Sequence, residues 1–277
     1  MPRMAGLTGR GRSWAVIFVL VLAVTGCTGT ASRPGRRPQA SAPSGRSAAA
    51  GTAQERFTVL LSPQARQRAS SAGVNLSRLM ASALDRINAL LPGPAATITV
   101  TTGPPSHLIP QTGENGYTSP GTGQVSLQFG RSAQASPTRM FGLWLPRDAA
   151  HEVNHSVRIL NGTGFGTTLL TQMITEGIAT AFDQAAFPGP PDPWTQAITP
   201  ARECALWDKA KPRLGEAGLY NRWMFGGPGV PHWTGFTIGY HIINDYRDHH
   251  RNVSWTALTS ASAASILAGS HYQPCRP

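Results

Sequence analysis

Residues 151–155 read His-Glu-Val-Asn-His, and these residue types at this spacing are the ones that activate water on a metal. On a helix the two histidines stand four residues apart, so they share one face with Glu152 beside them. Two neutral imidazoles can hold Zn²⁺ from one side and leave a position for water, whose proton a neighbouring carboxylate can take. The flanks suit such a helix. Pro146 fits a first helical position and Asp148 falls in the first turn, where negative charge is favoured. Ala149, Ala150, Val153, Val157 and Leu160 supply an apolar stripe, and Asn161-Gly162 tolerates the left-handed backbone that ends a helix.

Two histidines leave zinc short of a third protein ligand. Zinc enzymes that continue this motif locally place Gly and then His or Asp three and six residues after the second histidine; Arg158 and Asn161 stand there instead. The other solution takes a glutamate from the next helix. Residues 169–182 form a strongly apolar helical stretch with one carboxylate, Glu176, in its middle. A charge in such a stretch is costly unless paired or metal-bound, so Glu176 is the expected third ligand, with an ion pair to Arg158 as the competing reading.

HEVNHSVR at 151–158, TLLTQMITEGIATAF at 168–182, WMFG at 223–226 and PHWTGFTIGYHIINDY at 231–246 together resemble a bacterial family described as Zn-dependent proteases of unassigned biological role. The resemblance covers about half the chain. It implies a zincin-like, gluzincin-type fold with His151, His155 and Glu176 as metal ligands and Glu152 as general base. The chain departs from the pattern at one point: Trp233-Thr234-Gly235-Phe236 stands where Trp-Ala-Gly-Tyr is expected. Tyr240, one helical turn later, is the remaining tyrosine on that face and the candidate for polarising a scissile carbonyl.

Further groups are placed by helical spacing. Asp183, seven residues after Glu176, lies on the same side of its helix and suits a hydrogen bond to a ligating histidine, with a surface role as the equal alternative. His241, Asp245 and His249 also share a face, yet the Asp-His-His-Arg-Asn run there reads as a solvated helix end rather than a second metal site.

Positioning these groups falls to one domain, residues 56–277, long enough for a substantial core. Its fold class is α+β, with a small mixed sheet in the N-terminal half and a mainly helical C-terminal half. Strands are expected at Phe57–Leu61, Ala96–Thr102 and Gln124–Phe129, with one amphipathic helix over about residues 67–91. Residues 104–121, rich in Pro, Gly and Asn, read as a loop, which makes the strand at 124–129 the expected edge beside the cleft. Pro/Gly-rich breaks at 188–193 and 226–231 interrupt the helical half.

Ahead of this domain, Arg3, Arg10 and Arg12 precede an apolar run from Trp14 to Val24, too short for a comfortable membrane span. The run ends in Val24-Thr25-Gly26-Cys27, which resembles a lipobox, so residues 1–26 read as a lipoprotein signal with Cys27 acylated. Residues 27–55 have no apolar periodicity and read as a disordered Ser/Ala/Pro/Arg tether, with an average reach of about 30 Å. Lipid-anchored attachment on the extracytoplasmic face of the cell membrane follows as the expectation.

The net charge of +11 is misleading, because seven arginines and one acid, Glu55, fall in residues 1–55 and only +5 remains on the domain. Nucleic acid is not an expected partner; a peptide or protein substrate and the membrane are. Cys204 and Cys275 form an even pair in an exported chain and are expected to join in a disulfide. The leading function is therefore a membrane-tethered zinc metallopeptidase using one Zn²⁺. The alternative, a non-catalytic zincin-like surface lipoprotein binding an envelope or protein partner, would be marked by loss of the base, and Glu152 is present.

Overall fold

The computed structural model describes residues 52–275. The signal at 1–26, Cys27 and residues up to 51 of the tether lie outside them. A single helical turn, α1 (Ala53–Arg56), leads into β1 (Phe57–Leu61), a few residues inside the segment read as tether. Among the described residues no helix is long and apolar enough to cross a membrane.

The domain is α+β. Strand β1 is followed by α2 (Pro63–Ser71), α3 (Leu76–Leu90), β2 (Ala96–Thr102), β3 (Glu114–Thr118) and β4 (Val125–Phe129). The four strands pair in the order β1-β2-β4-β3, with β1, β2 and β4 parallel and β3 antiparallel to β4. Alternation decides the layers: Ile98, Val100, Val125, Leu127 and Phe129 bury one face, while Leu60, Tyr117 and Ser126 look outward. The buried face packs on α3 and on the helix that carries the motif.

Two expectations are corrected here. The helix over 67–91 is two helices, because Gly73 turns left-handed (φ +74°) after Ser71 and Asn75 caps a new start by accepting from the Arg78 amide. The strand at 124–129 is internal. Its outer neighbour is β3, cut from the segment read as loop, and the Ser119–Gln124 turn folds it back onto β4 with Gly123 left-handed. The edge beside the site is therefore β3.

Beyond the sheet come α4 (Pro137–Arg139), a π-helical turn (Met140–Trp144), α5 (Leu145–Leu160) and α6 (Leu169–Ala186). Pro146 falls in the first turn of α5, as its residue type suggested, and the π turn ahead of it continues the helical path. A proline ring clashes with the carbonyl four residues back in a regular helix, and the wider π turn, in which the Leu145 amide bonds to Met140 O, relieves that conflict. α5 ends at Asn161 with Gly162 left-handed, as its residue types predict.

The remaining helices are α7 (Pro200–Ala210), α8 (Tyr220–Met224), α9 (Thr234–His249), α10 (Trp255–Ser260) and α11 (Ala263–Ser270). They enclose a second core around α6 and α9, built from Met173, Ile174, Ile178, Ile238, Ile242 and Ile266 among others. α6 and α9 meet backbone to backbone at Gly177 and Gly239.

Cys204 of α7 is joined to Cys275 by a disulfide, with Cα atoms 4.7 Å apart and a sequence separation of 71. Closing a loop of this length restricts the unfolded chain. The double variant Cys204→Ser/Cys275→Ser should lose about 3–4 kcal/mol in urea unfolding. Curves that coincide with the wild type would show that the bridge contributes nothing to stability.

Candidate metal centre

The continuous α5 carries His151, Glu152 and His155 into the interior, where all three are buried. β3 lies along it. Thr118 Oγ1 is 2.6 Å from Glu152 Oε2 and 2.9 Å from the Glu152 carbonyl oxygen, and Ser156 donates to Gly123 O at 2.6 Å. Gly116 of β3 faces Asp148 and Glu152. A Cβ there would lie 2.5 Å from Glu152 Cγ and 2.7 Å from its Oε1, and would overlap Asp148 Oδ1. The missing side chain forms the notch in which the Glu152 carboxylate rests, with Thr118 holding its other oxygen.

α6 brings Glu176 from the opposite side. Its Oε2 is 3.2 Å from His151 Nε2 and 3.4 Å from His155 Nε2, and the two imidazole rings meet edge to face at 4.7 Å. One ligand atom from each of the three residues lies within 4.8 Å of the others. Tetrahedral zinc with bonds of 2.0–2.1 Å separates neighbouring ligand atoms by about 3.3 Å, so the donor set and its spacing both fit the metal. Burial pushes the Glu176 carboxyl up, but His155 and His151 outweigh it and hold the group well below the usual carboxylate range.

The outer contacts are as specific as the inner ones. Asp183, two turns along the same face of α6, accepts from His151 Nδ1 at 3.2 Å, which leaves Nε2 directed at Glu176. Burial lowers the His151 pKa, yet the bonds to Asp183 and Glu176 raise it well above its ordinary value. Asp192 continues the chain of charge: its Oδ1 is 2.7 Å from Nη1 of the buried Arg147, which also donates to Phe187 O and Pro190 O. On the β3 side, burial pushes Glu114 up to about 7 and holds Asp148 well above the carboxylate range, the two carboxyls facing one another. The site is thus rich in buried acid, an environment that favours a bound cation.

Tyr220, on α8, donates to Glu176 Oε1 at 2.6 Å. Sequence spacing pointed to Tyr240 instead. The Tyr240 hydroxyl bonds to Gln184 Oε1 at 3.2 Å, whereas it is Tyr220 that bonds to one of the three converging side chains. Arg158 makes no pair with Glu176; it donates to Gly164 O, Thr259 O and Ala261 O. His241 pairs with Glu203 at 2.7 Å while His249 bonds to the Asp245 carbonyl, so that helical face assembles no metal cluster. Thr118, Gly116, Tyr220, Asp192 and Arg147 escaped sequence reasoning, and Gly116 was read only as part of a loop.

A family model described as predicted Zn-dependent protease (DUF2268) matches residues 76–268, which include every residue of this centre. Neither a curated protein nor a solved structure matches the chain. The match runs from the start of α3 into α11, more than two thirds of the sequence, and the chain is therefore a member of the predicted Zn-dependent protease family.

Proposed function

We propose that this protein is a zinc metallopeptidase tethered to the extracytoplasmic face of the membrane through acylated Cys27. The observation that carries the catalytic part is the meeting of His151, His155 and Glu176 beside a Glu152 seated on the edge strand. His151, His155 and Glu176 would hold one Zn²⁺, which when bound supplies Lewis acidity and makes water easier to deprotonate near neutral pH.

Every other step belongs to the chain. Among the described residues β4 is the one strand partner of β3, so the outer edge of β3 offers backbone groups to an extended peptide. Held there, the scissile carbonyl lies beside the carboxylate in the Gly116 notch. Glu152 takes the proton of the attacking water and returns it to the leaving amine. Asp183 keeps His151 oriented throughout, and the walls of α5 and α6 limit competing solvent. A lipoprotein that only binds a partner has no use for a carboxylate so seated.

Elemental analysis of the full-length protein tests the centre. Wild type should carry about one zinc per chain, and His155→Ala and Glu176→Ala should each lose it. Wild type that takes up no zinc after reconstitution would overturn the enzymatic reading in favour of a binding protein.

A further inference from the structure

Tyr220 is a half-buried polar group next to the centre to which the proposed chemistry assigns no role. Its hydroxyl donates to Glu176 Oε1 at 2.6 Å, the shortest distance to any of the three converging side chains. The ring has little freedom to leave. Phe165 stands edge-on to one part of it at 5.7 Å and 75°, and Phe225 to another at 5.7 Å and 77°. Phe165 is itself packed on the His155 ring at 5.1 Å, and its carbonyl accepts from Thr175 of α6.

The chain reaches this position by a defined route. Leu169 N and Leu170 N, in the first turn of α6, donate to Glu216 O and Leu214 O, which docks the segment before α8 against the start of α6. α8 then places Trp223 in the core and turns Tyr220 toward Glu176.

A free carboxylate presents two equivalent oxygens to a metal and rotates between them. Here they are not equivalent: Oε1 is taken by Tyr220, and Oε2 alone faces both Nε2 atoms. We propose that Tyr220 is a positioning residue for the metal centre, engaging one oxygen of Glu176 so that the other is presented to the ion. The inference rests on the reading of His151, His155 and Glu176 as ligands. It differs from a role in the reaction itself, because the hydroxyl acts on a ligand and not on substrate.

Outer hydrogen bonds of this kind typically tune metal affinity by about 10–100-fold. The test uses full-length protein stripped of metal and titrated with zinc against a chromophoric chelator. Tyr220→Phe, which keeps the ring, should bind zinc about 10–100-fold more weakly. In the Glu176→Gln background the same change should have no further effect, since the carboxylate being positioned is gone. Cobalt(II) adds a readout that a packing defect would not move: with Oε1 released to the ion, coordination number rises and the visible absorption weakens. Unchanged zinc affinity and cobalt spectrum in Tyr220→Phe would overturn the proposal, as would an equal loss in both backgrounds. Wild type that binds neither zinc nor cobalt would instead overturn the ligand reading, and the proposal with it.

Discussion

Glu152→Gln should keep its zinc and lose peptidase turnover by about 10²–10⁴-fold, the range that removal of a general acid–base group commands. The substitution is close to isosteric, so the Gly116 notch still receives the side chain and Thr118 still has an oxygen or amide to bond. His151, His155 and Glu176 are untouched, and metal content should match the wild type. What disappears is the ability to accept a proton from water and deliver it to the departing amine. Turnover of a fluorescent casein substrate, paired with elemental analysis of the same preparation, separates the two effects. A variant that retains zinc and cleaves as fast as the wild type would remove Glu152 from the mechanism.

The second large effect is on folding. At Gly239 an added Cβ would overlap the Met173 carbonyl of α6, and one at Gly177 would overlap the Gly239 carbonyl. Ordinary overpacking costs about 1–3 kcal/mol because a flexible neighbour moves aside. A helical carbonyl cannot rotate away without giving up its own hydrogen bond, so Gly239→Val should fall in the rare range of about 4–5 kcal/mol or prevent folding outright. The same separation of α9 from α6 would displace Glu176, one residue from Gly177, so surviving folded protein should also bind zinc poorly. Urea unfolding of the full chain reads the first consequence. A midpoint within experimental error of the wild type would show that the helices do not depend on this close approach.

Several parts of this molecule follow from local chemistry. The 151–155 spacing, its apolar stripe and the Asn161-Gly162 stop specify a helix with both histidines on one face, because helical periodicity is a property of nearest neighbours. The β-branched run at 96–102 becomes β2 with the expected bounds, β1 likewise, and the cysteine pair joins as its number implies. Glu176 stood out because one carboxylate in an apolar helix demands a counter-charge, and Asp183 because it lies two turns along the same face.

Tertiary contacts decided the rest, and each decision has a cause that lies far away in sequence. Asn115-Gly116 reads locally as part of a loop, yet it sits inside β3, where only glycine leaves room for the Glu152 side chain of α5. That same placement moves the cleft edge from β4 to β3. Tyr220 and Tyr240 are both half-buried tyrosines on helices, and nothing local separates them. The docking of residues 214–216 on the first turn of α6 carries Tyr220 to Glu176, while the glycine crossing of α6 and α9 leaves Tyr240 opposite Gln184. Sequence alone determined which residue types converge on a metal-binding chemistry. Only the tertiary structure decided which oxygen and which tyrosine take part, because those choices depend on contacts between elements separated by some 30 to 60 residues.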